Sequence, residues 1–591
     1  MPEAAATAVP ACARSRPRWV VGFWSGVFAL NLALVGLAIY GQSLTGDGAY
    51  HLIAGHQALR YGQNLVNLEH PPLVKMVAAL PLWLENAPLA PPIRVEDALA
   101  TIPRIHAQPQ LLWRATVRGR WLLLVCFSLP FLVVCWLLGR RFGGPEAGFV
   151  LAAMVGLTFW VLPNLVILQT DTAAGLAFGA TLLAAIGYAE KPVLVRAIGL
   201  GSAAGLALAV KFSGVLLGPT VLLSFLLARE TRSRWRARAA HLVVAGLVSF
   251  ALPYTSYVAA NRSYASDAGR DTLRSYCRNQ GTLVVDDTMR GLEEPLLALE
   301  GFDPFVAQWA VGFLGVRAQN AIGVYPSYAL GEVYSKGRWW YFPLVFLAKT
   351  PLVLLCTGLA ALGWKLVHRR GPSLLGGRGW ILAAVTVGIY LATAITSNYN
   401  LGIRHLLPIL PLLYLPLAIW LAGRPWVGKA VVTVLAIEAL LLCPLWLSAT
   451  NTWWLGERNP TRFSFSWGDL EYRQNFVQLA RATDARGIRS LKVLYPLLGE
   501  EVVRAYLPDA RLVEPEDPLE PGWYAVNVIV EQFVPGILRA SSDDLYGYDG
   551  LYRLAQRWLP FWREVAAGRD AGYVAGTFHL YELTELPGAT P

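Results

Sequence analysis

Residues 45–75 read TGDGAYHLIAGHQALRYGQNLVNLEHPPLVK, a polar stretch lying between two long apolar runs. Asp47 follows the first run within a few residues, and His51, His56 and Glu69-His70-Pro71-Pro72 come after it. Ala49–Tyr61 has helical apolar spacing (Leu52, Ile53, His56, Leu59) and ends at Tyr61-Gly62, a C-cap pattern. Pro71-Pro72 then opens a second amphipathic helix over about Leu73–Leu84, because proline suits a first turn. Both helices are expected to lie in a membrane interface rather than to cross it. Residues 86–110 are proline-rich and irregular.

The flanking runs decide the fold class. The chain has 591 residues, 55% of them hydrophobic and 15% charged, whereas soluble domains carry about a quarter charged residues. Apolar stretches fall at 19–41, 120–138, 147–162, 172–188, 194–210, 212–228, 239–258, 341–363, 380–396, 403–421 and 427–448, each near the length a bilayer requires. This predicts a polytopic α-helical membrane protein with about eleven transmembrane helices. Arg14, Arg16, Arg18, Arg140, Arg141, Lys191, the basic run 229–238, Lys365, Arg369, Arg370, Arg378, Arg424 and Lys429 all fall on one side, which the positive-inside rule makes cytoplasmic. Residues 1–18 are then a cytoplasmic tail and 19–448 a membrane domain with outer loops at 42–119 and 259–340. The first run is too long for a signal-peptide core and is read as a retained span. Arginines at the ends of apolar runs are topology determinants, so a nucleic-acid partner is not expected. Of the six cysteines, only Cys277 falls in a large polar loop, which excludes a disulfide framework.

Residues 449–591 have soluble composition. Short β-like runs (Leu491–Tyr495, Trp523–Val530, Phe578–Leu583) alternate with helical stretches near 470–485 and 550–567, predicting a small extracytoplasmic α/β domain. Two long loops and a domain on one face place the chemistry there. A transporter would instead carry its polar residues near the midplane.

The candidate residues gather on that outer face. A carboxylate at Asp47 can act as a general base towards a hydroxyl or amine; alone, it would read as a solvated loop acid. Asp171, in QTDTAAGLAF, starts a span, where it or Thr170 could equally be a helix cap. His70 and Lys75 beside Glu69 offer positive charge to an anionic headgroup. Lys349, Arg404 and His405 are cations in or beside spans. Intramembrane charges are costly and mark function by default, and Lys349 is placed about 12 Å into its span at 1.5 Å per residue. Two acids and several cations suit transfer from a lipid phosphate: cations hold the leaving phosphate and an acid deprotonates the acceptor. No cofactor is expected to be required. His51, His56 and Glu69 are the residues that would take a divalent metal, at a spacing that matches no zinc motif.

GDGAYHLIAGHQALRYG, LNLEHPPLVK, QTDTAAGLAF, KGRWWYFPLVFLAKTP, SNYNLGIRHLLPILP and FSFSWGDL, in this order from about residue 40 to 470, resemble the phospholipid carrier-dependent glycosyltransferases of the GT-C superfamily. These include the protein O-mannosyltransferases of glycosyltransferase family 39 and the aminoarabinose transferases. The resemblance implies a GT-C helical fold in the plasma membrane, a polyprenyl-phosphate-linked sugar donor, an acceptor met outside the cytoplasm, and inversion at the anomeric centre. It puts Asp47 on the catalytic base, Asp171 on a second acid near the acceptor, His70 near the lipid phosphate, and Lys349 and Arg404 near the donor. Many members have Asp-Glu in the first loop where this chain has Asp47-Gly48, so the second acid's role, metal binding included, does not carry over. A non-catalytic lipid-binding scaffold and a lipid-linked sugar transporter are the rival readings.

Overall fold

Apolar runs become helices throughout the computed structural model, which describes residues 18–87, 101–229, 235–278, 287–368, 377–452 and 466–584. The N-terminal tail with Cys12, Arg14 and Arg16, the basic residues Arg232, Arg234, Arg369 and Arg370, the proline-rich residues 88–100 and the start of the FSFSWGDL motif lie outside these residues. Most of the described chain is helical. Among the described residues, five helices are long and apolar enough to cross a membrane, and a sixth crossing is counted if the bent pair Tyr341–Lys349 and Leu352–His368 is one span. Leu194–Val210, Phe212–Leu226, Leu410–Ala422 and Pro72–Leu84 are shorter apolar helices.

Every apolar stretch read from the sequence is largely helical, but several are broken. Pro109–Leu157 includes a reversal at Gly144, whose φ of 84° and ψ of 179° precede Pro145. The chain folds back so closely there that a Cβ on Gly139 would lie 2.4 Å from the Ala147 carbonyl oxygen. The stretch expected as one straight span over 341–363 is bent by 107°. Pro351 supplies no N–H and disfavours helix in the residue before it, so Lys349 stands at the corner rather than at a depth along a rod. Likewise 403–421 opens with a tight turn, Ile403–Leu406, and only then becomes the helix Leu410–Ala422. Arg404 and His405 therefore sit in a turn.

In the first loop the two expected helices form as Gly46–Tyr61 and Pro72–Leu84. Gly62, at φ 64° and ψ 38°, closes the first by donating to the Ala58 carbonyl, a conformation that favours glycine. The pair crosses at Gly55, where a Cβ would lie 2.0 Å from the Lys75 carbonyl oxygen. The second outer loop is more ordered than its sequence suggests. It holds the helices Ser266–Cys277, Glu293–Phe302 and Pro304–Ile322 and an antiparallel hairpin, β1 (Ser327–Ala329) and β2 (Glu332–Tyr334). Asp303 starts the helix Pro304–Ile322 by accepting from the backbone of Phe305 and Val306 at 2.9 and 3.0 Å.

The C-terminal part carries the strands β3 (Leu491–Leu494), β4 (Arg511–Leu512), β5 (Gly522–Asn527), β6 (Arg569–Val574) and β7 (Phe578–Leu583). They form a mixed sheet in the order β4-β3-β5-β7-β6. β5 stops short of the expected Val530 because the Asn527 side chain caps the helix Val528–Arg539, accepting from the Ile529 backbone at 3.0 Å. Helix Tyr548–Ala566 covers the sheet with Trp558, Phe561 and Val565.

This unit is tied to the end of the first span. Ser43 N–H donates to the Gln474 carbonyl at 2.9 Å, and Gly46 N–H to the Tyr472 carbonyl at 3.2 Å. From the opposite side Arg120, which is fully buried, donates to the carbonyls of Ile39, Gln42 and Ser43 at 2.9, 2.7 and 2.7 Å. Asp47 emerges from this clamped segment.

Candidate active site

Asp47 is the second residue of the helix Gly46–Tyr61. Its Oδ2 lies 3.6 Å from an Arg404 guanidinium nitrogen, and its side chain is 46% accessible. Protein surrounds it closely enough that desolvation raises its pKa; Arg404 opposes this and Asp171 adds to it. Asp171 is buried at the start of the helix Asp171–Glu190. Its partner is the Lys211 ammonium, in an ion pair linking two separate helices. Thr170, at the N-cap position, makes no side-chain cap bond among the described residues. The structure brings the two carboxylates together, each with its own cation.

Arg404 Nη1 donates to Gln169 Oε1 at 2.9 Å. The guanidinium also stacks on Tyr472, 4.4 Å from the ring centroid. The His405 carbonyl accepts from the Tyr390 hydroxyl at 2.5 Å, while its ring Nε2 is buried without a hydrogen-bond partner among the described residues.

The His51 and His70 rings are 5.2 Å apart, and Nδ1 of each is buried and unpartnered among the described residues. Desolvation lowers the His51 pKa to about 3, with Lys75 adding to it, and takes His70 well below its ordinary value. Both rings are therefore neutral at physiological pH. The expectation of His70 as a standing positive charge becomes a neutral imidazole offering hydrogen bonds. Lys75 is 1% exposed and donates to the Asn67 carbonyl at 2.7 Å. Burial lowers its pKa to about 7. Glu69 accepts from Gln319 at 3.4 Å, and desolvation raises its pKa to about 7, with the Asp47 charge adding to it.

Two expected residues stand apart. Lys349 donates to the carbonyls of Leu447, Ala449 and Asp469 at 2.7, 2.8 and 2.6 Å. An ammonium has three protons, so Lys349 holds chain segments together and has no donor left for a phosphate. His56 packs against Tyr61, with ring centroids 5.9 Å apart, and away from the acids. Among the described residues, no group of three or more His, Cys, Asp or Glu is gathered to hold a metal ion.

Sequence reasoning missed Lys211, Gln169, Tyr472 and Arg473. Lys211 carried a usable signal, since it stands alone between two apolar runs on the face assigned to the outside. Tyr472 and Arg473 carried none, being ordinary residues some 425 positions from Asp47.

Residues 115–257 match the sequence family described as dolichyl-phosphate-mannose-protein mannosyltransferase. No curated protein sequence matches the chain. Among solved structures, ArnT from Cupriavidus metallidurans bound to undecaprenyl phosphate is 13% identical with a TM-score of 0.32, over 97% of this chain and 99% of that one. The apo oligosaccharyltransferase of Archaeoglobus fulgidus is 11% identical with a TM-score of 0.41, over 91% of this chain and 73% of that one. The part of the chain that matches the mannosyltransferase family, residues 115–257, is the part that supplies Asp171 and Lys211.

Proposed function

We propose that this chain is an inverting glycosyltransferase that moves a sugar from a polyprenyl-phosphate donor to an acceptor on the outer face of the membrane. The observation that carries the reading is the pairing of two acids with two cations in one cluster, Asp47 with Arg404 and Asp171 with Lys211. The match of residues 115–257 to a mannosyltransferase family supports the reaction class, and the one-sided distribution of arginines supports the orientation.

Asp47 is the base. It is accessible, and its raised pKa makes it a stronger proton acceptor than a solvated carboxylate. As the acceptor's O–H or N–H proton passes to Asp47, the acceptor atom bonds to the anomeric carbon. The bond from that carbon to the phosphate oxygen breaks, and its electron pair leaves with the polyprenyl phosphate. A phosphate leaves well enough without a general acid. Lys75, His70 and His51 lie within electrostatic reach of one another, and a phosphate arriving beside them raises the pKa of all three, recharging Lys75 where the negative charge develops. Asp171 is neutralised by Lys211 and orients the acceptor. The reaction as written requires no cofactor. The acceptor is a protein, lipid or glycan, and the sugar a hexose or pentose.

The test compares membranes from cells with and without the chain, by mass spectrometry of polyprenyl-phosphate sugars and of envelope glycans. One lipid-linked sugar should accumulate and one envelope modification disappear in the deletion. Asp47→Asn should reproduce both, and lower transfer from a supplied donor at least about a hundredfold. Full transfer by the Asp47→Asn variant would sink the reading.

A further inference from the structure

Arg404 is held by little. Among the described residues, its side chain has one hydrogen bond, to Gln169; Asp47 lies at 3.6 Å, and Nε is buried without a partner. The remaining support is the face of Tyr472. The Tyr472 hydroxyl is buried with no hydrogen-bond partner among the described residues; the ring face makes the contact.

Tyr472 belongs to a segment, Asp469 to Arg473, that touches the Arg404–Asp47 pair from both ends. At its start, Asp469 Oδ1 accepts from the Ile403 backbone at 2.7 Å and so fixes the turn that carries Arg404. Asp469 is itself anchored: Oδ2 accepts from the Tyr341 hydroxyl at 3.2 Å, and its carbonyl from Lys349 at 2.6 Å. Glu471 is buried and accepts from the Arg473 backbone at 2.6 Å, which tightens the chain around Tyr472. The Tyr472 carbonyl then accepts from Gly46, the residue before Asp47. Arg473, at φ 66°, lays its side chain beside Gly46.

We propose that Tyr472 is a positioning residue of the active site: its ring holds the Arg404 guanidinium against Asp47, so the C-terminal unit completes that site. The inference rests on the reading of Asp47 as the base. The charged and titratable groups facing Asp47 are Arg404, Asp171, Arg473 and Lys211, with Tyr50 and Glu69 also within electrostatic reach. Of these, Arg404 is the largest influence favouring the ionised carboxylate. When the ring is lost, Arg404 is released and that influence weakens.

The experiment measures kcat/KM against pH in membranes, using synthetic undecaprenyl-phosphate mannose, glucose, galactose and aminoarabinose as donors. Tyr472→Leu should move the acidic limb upward by roughly half to one pH unit. Tyr472→Phe, which keeps the ring, should leave the limb where the wild type has it. Tyr472→Met serves as the second non-aromatic variant if the leucine variant does not fold. A limb unmoved in the non-aromatic variants, or moved equally in Tyr472→Phe, overturns the proposal. Asp47→Asn is run alongside. If it is inactive while the limb stays fixed, the positioning role fails and the base assignment stands. If it is active, the base assignment fails and takes the positioning role with it.

Discussion

At the scale of single residues, burial decides what each charged group does. Lys349 and Lys75 are both 1% exposed lysines, yet among the described residues one has three carbonyl partners and the other a single one. Lys349→Met should therefore lose about 3 kcal/mol of stability, because three buried carbonyls are left without a donor. Thermal unfolding in detergent reads this, and an unchanged midpoint would refute the structural role. Glu69 has a different consequence. Its folded pKa of about 7 lies above the ordinary carboxyl value of 4.5, so between these values the unfolded chain has released a proton that the folded chain retains. Stability then falls as pH rises through this window. Glu69→Gln should flatten that fall, which unfolding midpoints at pH 4.5 and 7 would detect. The acids and cations themselves were legible in the sequence because charge beside long apolar runs is conspicuous. Their pairing was not, since Lys211 and Asp171 meet only through the packing of separate helices.

At the scale of elements, composition located the helices and backbone chemistry shaped them. The capped first-loop helix and its proline-led partner were legible from Gly62 and Pro72. The bend at Pro351 was legible in principle, because proline disfavours helix in the residue before it, but an apolar run continuing past it hid the break. The helix Pro304–Ile322 was obscured by its place in a loop judged polar as a whole. Strands β4 and β6 were missed because β4 has two residues and β6 begins with Arg569-Asp570 and contains Gly572, a poor match to apolar alternation. The crossing of the two first-loop helices makes a direct prediction. Gly55→Ala puts a methyl 2.0 Å from the Lys75 carbonyl oxygen, so the helices must separate, at a cost of about 1–3 kcal/mol. Gly36→Ala, with nothing among the described residues within 4 Å of the new Cβ, is the control and should unfold no earlier than the wild type.

At the scale of the whole molecule, the chain returns to its beginning. Residues 41–46 are bonded to 472–478 on one side and to Arg120 on the other. This closure was not readable from sequence, because its bonds are mostly to backbone groups and leave no pattern in residue identity. It predicts that the two segments open as one unit. Arg120→Met would leave the carbonyls of Ile39, Gln42 and Ser43 buried without their donor, loosening the first segment directly. Since Ser43 and Gly46 donate to Gln474 and Tyr472, the second segment should loosen with it. Hydrogen exchange of the full chain in lipid nanodiscs measures this. Faster exchange at both 43–46 and 472–476 in the Arg120→Met variant is the expected result. Acceleration confined to the first segment would mean that the C-terminal unit holds its own shape and merely rests on the membrane domain. Joint acceleration would mean that the base, its arginine and the ring beneath that arginine are kept in register by a closure running through the entire fold.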